Sequence, residues 1–456
     1  MNMDLRKHPG FCLLGEIENF KTKRHQESNT VQIEGWIESI RSFGKNLTFL
    51  ILRHSQIRLQ CIASNISDDY LQEETFIRLE GKFRPVSKGH TSPHMIEFHI
   101  SSILNQSNGL KTPSNQPTSS MDLMLEMRRN SLHYNMTRTY NVLVRAFEDI
   151  LNDLNFLKVS PPILTNTIFE EGESQSLSVS KLNEIDQTQY LSQSAQLYLE
   201  YCLPAYGKVY SISRCFRQEN CSSHQHLKEF NHLEVELFTD SLEDLMTFAV
   251  ELLRTASVRL SETPLLEEFP SDLASKIRSN CAFFKELEDY TILSYQDALD
   301  ILISNDAISS DIATSNNLPP KITKMHENYL LDFFGKQKPL ILTRFPSQYK
   351  PFYAKNCLNS NGDRSIANSY IPTSSFDLIL PNIGELIGGS LRISDFKNSQ
   401  DISERCGSMP LNCQWYFDSM KQGQAEHGGF GLGLDRLLMF LFGLNQIKTT
   451  NLLGNL

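Results

Sequence analysis

The stretch from His427 to Leu437, HGGFGLGLDRL, sets glycines at 428, 429, 431 and 433 beside Arg436, directly before the apolar run LLMFLFGL. Glycine lets a main chain approach a flat ligand closely, and a helix opening at Arg436 would turn amides and a guanidinium toward an anion such as phosphate. The same pattern also serves a turn packed on a helix. A second stretch, FRQENCSSHQHLKEFNHLEVEL, puts Arg217 and Glu219 ahead of His226, Leu227, Phe230 and Glu234. A third, SFDLILPNIGELIGGSLRI, carries Asp377, Glu385 and Arg392 on what should be consecutive strands joined by a Pro-Asn turn. Arginine forks suit phosphate and carboxylate, and carboxylate oxygens suit Mg2+. The plain alternatives are a surface ion pair for each arginine, a core position for Phe230 and solvent-facing charge for the acids.

These residues must be held by the elements around them. TRTYNVLVRAFEDILNDLNFLKVSPPILT reads as an apolar-periodic helix followed by a strand that stops at Pro161 and Pro162. Upstream, VQIEGWIESI, LTFLILR, IRLQCIA, TFIRLEGKF and MIEFHISSIL alternate as short antiparallel strands, the pattern of a small Greek-key barrel over 1–104. Residues 105–121, including NQSNGLKTPSNQPTSS, are rich in Ser, Asn, Pro and Gly and read as a linker. A mostly helical, acidic insertion is expected at about 262–330 within a larger domain spanning 122–456. The fold class expected is α+β.

Composition excludes several classes. The chain has 456 residues, 40% apolar and 21% charged, which is globular rather than disordered. Its apolar run near Leu437 to Leu444 is too short for a bilayer, and MNMDLRKHPG lacks a signal-peptide core, so a cytoplasmic protein without membrane partners is expected. Nine cysteines, an odd number with no CxxC pair, argue against both a disulfide framework and a thiolate zinc site. A net charge of −10 means that any RNA contact must come from local basic patches.

The Arg217 stretch and the His427 stretch together resemble motifs 2 and 3 of the class II aminoacyl-tRNA synthetases, and the resemblance runs from roughly Val31 onward. It implies an N-terminal OB-fold barrel, a mainly antiparallel catalytic sheet flanked by helices, and a homodimer formed around the helix-strand-proline segment. It further implies attack of an amino acid carboxylate on the α-phosphate of ATP, a reaction served by fixed cations and metal-binding oxygens. Arg217 would hold the α-phosphate, Arg436 would stack on adenine and reach the γ-phosphate, and Phe230 would cover the other face of the base. Glu219, His226, Leu227 and Gly433 complete the implied ATP set, while Asp377 and Glu385 would carry Mg2+. For the amino acid the resemblance implies Ser194, Gln196, Glu234 and Arg392, with Glu171 of the loop EEGESQS set against the ammonium.

Within the family the chain is similar to the asparaginyl rather than the aspartyl group. Leu199 stands where aspartyl enzymes carry a lysine that neutralises the substrate carboxylate, and Glu234 would repel a carboxylate while accepting from an amide. FPSQYKPFYAKNC, LPNIGELIGGS and CQWYFD point the same way. The implied reaction is activation of asparagine and its transfer to tRNA(Asn). Arg41, Phe49 and Gln60 of the barrel would meet the anticodon, although Phe49 could equally be barrel core. Several positions depart from the family: Gln225 replaces an arginine, Glu173 a glycine, Glu426 a proline and Met325 an acid, and the chain ends in NQIKTTNLLGNL. They leave open an adenylate-forming paralogue with another acceptor such as ammonia, and a non-catalytic amino acid or tRNA-binding regulator.

Overall fold

The computed structural model describes residues 30–44, 46–54, 57–64, 71–85, 96–107, 131–167, 176–179, 189–218, 226–285, 287–308, 319–335, 338–357, 370–395 and 412–451. The chain divides into two compact units, Met1–Ser131 and Leu132–Leu456.

The first unit is a closed barrel of β1 (Val31–Phe43), β2 (Leu47–His54), β3 (Ile57–Ser64), β4 (Phe76–Pro85) and β5 (Ile96–Gln106), ordered β1-β2-β3-β5-β4. Strand alternation sorts its side chains: Leu50 and Leu52 of β2 and Leu59 and Cys61 of β3 fill the interior, with Ile37, Ile77, Leu79 and Phe98. Gly81 is required where β4 crosses β5, because a Cβ there would stand 2.1 Å from the His99 carbonyl oxygen. The last strand runs on to Gln106, two residues into the expected linker, and the rest of that segment from residue 108 lies outside the described residues. Alternation explains the overrun, since Ser, Asn and Gln are acceptable on a strand's outer face.

The second unit is built on an eight-stranded sheet of order β12 (Thr291–Ser294), β13 (Leu340–Thr343), β14 (Ser375–Leu380), β15 (Gly384–Leu391), β16 (His427–Gly433), β11 (Glu229–Phe238), β10 (Lys208–Phe216) and β6 (Leu157–Lys158). Helix α1 (Ser131–Asp153) leads into β6 (Leu157–Lys158), which ends before the expected stop at Pro161 and Pro162 and pairs parallel with β10 (Lys208–Phe216). A three-stranded ribbon of β7 (Leu164–Thr165), β8 (Ser178–Val179) and β9 (Gln189–Leu191) precedes α2 (Gln196–Tyr206). After β10 come β11 (Glu229–Phe238) and α3 (Leu242–Ser261). Ser241 caps α3 by accepting the Asp244 amide at 3.0 Å, and Leu245, Ala249, Leu252, Leu253, Ala256 and Leu260 bury one helical stripe.

The insertion holds α4 (Ser271–Ala282) and α5 (Tyr295–Ser304), but also β12 (Thr291–Ser294), and it leads to α6 (Lys324–Phe333). Besides its helices it therefore adds one strand to the sheet. β12 pairs parallel with β13 (Leu340–Thr343) and extends the main sheet, and Tyr295, Leu299 and Leu302 pack with Leu340, Leu342 and Ile379. Four residues are too short a run for the period-2 signal to register. The sheet continues through β14 (Ser375–Leu380), β15 (Gly384–Leu391) and β16 (His427–Gly433), with α7 (Gln414–Lys421) before β16 and α8 (Leu434–Phe442) after it. The Pro-Asn turn is present between β14 and β15, with Asn382 at φ 63°. No helix among the described residues is long and apolar enough to cross a membrane.

Candidate active site

Period-2 alternation along β11 sends Leu233 and Val235 into the core, fully buried, and leaves Phe230, His232, Glu234 and Glu236 on the opposite face. Register then carries a row across the sheet from Glu234 to Gly431, Gly388 and Asp377. The two glycines make the centre of that row bare main chain. A Cβ on Gly431 would stand 2.5 Å from the His232 ring, and one on Gly388 2.5 Å from Glu385 Oε1. Above this floor lies a cavity of about 250 Å³ whose walls include Ser194, Gln196, Arg217, Lys350, Glu385 and Arg392. The structure thus brings together Arg217 and Glu234, Asp377, Glu385 and Arg392, and Gly431 from three distant stretches of sequence.

One end is cationic. Arg217 follows β10 directly, its amide donating to the Lys228 carbonyl at 3.0 Å and its guanidinium lying 5.2 Å over the Phe230 ring. Phe230 is half-buried and lies outside the apolar core clusters, so the core reading of it fails. Arg436, in the first turn of α8, donates to the Glu385 carbonyl, and Gly433 caps that helix. Asp435 ties α8 to β11 by accepting the Asn231 amide at 2.7 Å, and Thr450 of the short C-terminal turn donates to it at 3.3 Å. His226 and Leu227 stand just before β11, outside the cavity wall, with Leu227 against the main core. Glu219 and Glu171 lie outside the described residues, as do Glu173 and Gln225.

Carboxylates gather beside these arginines. Lys350 donates to both Asp377 oxygens at 2.6 Å. Burial pushes the Asp377 carboxyl up to about 7 against the pull of Lys350, with Glu385 adding repulsion. Glu327 of α6 is also pushed up to about 7, by burial and then by Glu385 and Asp377. Glu385 ends below the ordinary glutamate value: its surroundings oppose ionisation, but Lys350, Arg436, Arg217 and His232 outweigh them. Asp377, Glu385 and Glu327 act on one another's ionisation, and carboxylate oxygens are the donors a hard cation prefers.

The other end is a buried charge network. Arg392, 3% exposed, donates through Nη2 to Glu236 Oε1 at 2.5 Å and through Nη1 to Ser390 Oγ at 2.6 Å, with Glu200 at 3.7 Å. Glu200 accepts from Gln196 Nε2 at 2.8 Å and Tyr416 Oη at 2.6 Å, and His427 Nε2 lies 3.3 Å away. Two acids share one guanidinium. Burial and the neighbouring Glu200 charge hold Glu236 up at about 7 despite Arg392, whereas Glu200, also desolvated, stays low through His427, Arg392 and Tyr416.

Glu234 lines the cavity but serves its wall: it accepts from Ser194 Oγ and, at 2.9 Å, from the Ala195 amide. Leu199 stands elsewhere. It is fully buried in an apolar cluster with Ala195, Leu203 and Val209, away from the cavity wall. Sequence reasoning missed Glu236, Glu200, His232 and Lys350. Alternation from Glu234 would have found Glu236 and His232, whereas Glu200 and Lys350 reach the site only through tertiary packing.

In the barrel, Arg41 pairs with Phe49 across β1 and β2, and Gln60 pairs with Ile51, so all three side chains share the outer face. Phe49 is half-buried there, which removes it from the barrel core, and Gln60 Nε2 donates to Glu97 Oε1 at 2.9 Å.

Residues 116–455 match the family of class II tRNA synthetases (D, K and N). A cytoplasmic asparagine–tRNA ligase of Homo sapiens is 29% identical over 453 residues, 96% of this chain and 77% of that protein. A probable cytoplasmic asparagine–tRNA ligase of Vairimorpha ceranae is 30% identical over 444 residues, covering 96% and 93%. Among solved structures, asparaginyl-tRNA synthetase from Pyrococcus horikoshii complexed with asparaginyl-adenylate superposes with a TM-score of 0.75 at 26% identity, covering 93% of this chain and 94% of that one. With the two-arginine cavity, the glycine floor and a family match over three quarters of its length, the chain belongs to the class II tRNA synthetases of the D, K and N group.

Proposed function

We propose that this enzyme activates asparagine with ATP and transfers it to tRNA(Asn). The observation that carries the amino acid assignment is Arg392 buried between Glu236 and Glu200. A lone guanidinium offers a donor to the amide oxygen. The adjoining Glu236 accepts from an amide NH2, a role the sequence assigned to Glu234, whose oxygens already hold the Ser194–Ala195 turn. An aspartate side chain would add a third carboxylate to the same pocket.

At the opposite end Arg217 is suited to bridge the α-phosphate and the attacking carboxylate, and the Phe230 ring beneath it gives the adenine a face to stack on. Arg436, fixed by the Glu385 carbonyl, neutralises the distal phosphates. Asp377 and Glu385, joined by Glu327, would hold Mg2+, which lowers the charge opposing attack on phosphate. The row of glycines keeps the path between the two ends clear, so carboxylate and phosphate can meet in line. The outer barrel face with Arg41, Phe49 and Gln60 fits unpaired anticodon bases.

A homodimer is part of the proposal, since Leu157 of β6, the last strand of the sheet among the described residues, and Ile163, Leu164, Tyr201 and Tyr206 are 46–56% exposed. The cytoplasm is the proposed compartment, following the names of the relatives. The test is ATP–pyrophosphate exchange with asparagine or aspartate, with and without tRNA. Exchange with asparagine and charging of tRNA is the expected result. Exchange without charging would pass the product to a non-tRNA acceptor, and no exchange with either amino acid would overturn the enzyme reading.

A further inference from the structure

Two side chains of the cavity wall, His232 and Glu234, and the buried Cys215 behind them have no part in the proposed reaction. Cys215 of β10 and His232 and Glu234 of β11 share one face of the sheet, because Ser213, two residues before Cys215, pairs with His232. Cys215 Sγ lies 3.8 Å from His232 Nδ1 and 3.8 Å from Glu234 Oε2, and His232 Nδ1 lies 3.5 Å from Glu234 Oε1. A tetrahedral ion holding sulfur at about 2.3 Å and nitrogen or oxygen at about 2.0 Å separates its donors by roughly 3.3–3.6 Å. With one donor atom taken from each residue, all three lie within 4.8 Å of one another, close enough for side-chain rotation to bring them onto one ion.

We propose that Cys215, His232 and Glu234 form a binding site for a borderline-soft divalent cation of the zinc type. Thiolate, imidazole and one carboxylate are the donors such an ion prefers, and they are wrong for Mg2+, which favours the oxygen set at Asp377 and Glu385. Cys215 is 1% and Glu234 4% exposed, whereas His232 and Glu234 line the cavity, so the fourth coordination position faces the cavity. Three protein ligands with one open position is the arrangement of an exchangeable rather than a purely structural ion. On loading, the Cys215 thiol releases its proton to solvent, His232 ligates through Nδ1 with its proton on Nε2, and Glu234 ligates as carboxylate. Two negative ligands then balance the dication, which makes a buried location tolerable.

Loading also engages the Glu234 oxygens that hold Ser194 and Ala195, at the wall where the amino acid is proposed to lie. Resting on that reading, the bound ion competes with asparagine.

The test is titration of the full-length protein with Co2+ in excess Mg2+, following the thiolate-to-cobalt charge-transfer absorption. The wild type should bind one Co2+ with that absorption and release it to Zn2+. Cys215→Ser and His232→Gln should each lose the band or weaken binding at least about tenfold, while Cys202→Ser and Cys357→Ser, at thiols outside the cluster, should keep it. No band in the wild type, or an unchanged band in Cys215→Ser, overturns the proposal. Circular dichroism and thermal midpoints without metal establish that each variant folds; if Cys215→Ser does not, His232→Gln at its half-buried position decides. In the exchange assay Zn2+ should raise KM for asparagine with kcat unchanged. Absence of exchange altogether would sink the proposed function and leave the cobalt result standing.

Discussion

Replacing Glu236 with glutamine tests the logic of the amide pocket most directly. In the wild type Arg392 is flanked by Glu236 at 2.5 Å and Glu200 at 3.7 Å, so the pocket carries one more negative than positive charge once both acids ionise, before His427 is counted. A carboxylate docking on Arg392 would come on the order of 5 Å from that of Glu236, and two unit charges there repel by roughly 3 kcal/mol at an effective dielectric of about 20. That is about two decades of discrimination against aspartate. Glu236→Gln keeps the shape and an acceptor for Arg392 but removes the charge. The assay is the ratio of kcat/KM for aspartate over asparagine in pyrophosphate exchange, measured well above the Glu236 value of about 7 so that the wild-type acid is ionised. The ratio should rise about a hundredfold, with the thermal midpoint reporting any loss of fold. An unchanged ratio in a folded variant would refute the electrostatic account of specificity.

Arg217→Ala should lower exchange with asparagine by at least about a hundredfold, since a preorganised cation facing the reacting phosphate is lost; retained activity would remove Arg217 from the reaction. Glu327→Gln addresses pH. Glu327 keeps its proton to about 7 in the fold but only to about 4.3 when unfolded, so between these values the folded state binds more protons and wild-type stability falls as pH rises. Without Mg2+, the variant should gain about 1 to 2 kcal/mol on the wild type across that window, and parallel stability curves would argue against carboxylate crowding. Leu199→Lys, which sequence comparison suggests would favour aspartate, should instead unfold the protein at lower temperature, because it places an ammonium among Ala195, Leu203 and Val209 at a cost of several kcal/mol. A stable variant with new aspartate activity would restore the sequence argument.

Much of this was legible in sequence where function is written in short runs. HGGFGLGLDRL becomes a strand and helix with Arg436 in the first turn, and the Pro-Asn turn sits where the breaker residues put it. The barrel strands followed from alternation, which also sends Phe49 outward once Leu50 and Leu52 are assigned inward. What stayed hidden depends on distance in sequence. Glu200 meets His427 across 227 residues and Tyr416 across 216, and no local pattern announces either contact. Leu199 is placed by packing too: it lies one helix position, about a quarter-turn, from Glu200, and that direction is core. The edge strand β12 was invisible because its four residues look like the end of a loop.

The glycine floor at 388 and 431, with Gly429 beside it against Glu236, has a consequence for how such a catalyst can diversify. Where the surface beneath a ligand is main chain, selection has no side chain there to enlarge, shrink or recharge, and even one added methyl collides with His232, Glu236 or Glu385. Innovation is confined to the two end walls. The arginine-and-acid end can drift toward other nucleotides or acceptors while the Arg392 end is held constant, or the reverse. Duplicated copies of such a gene are thus free to change what is joined without relearning how the joining is done.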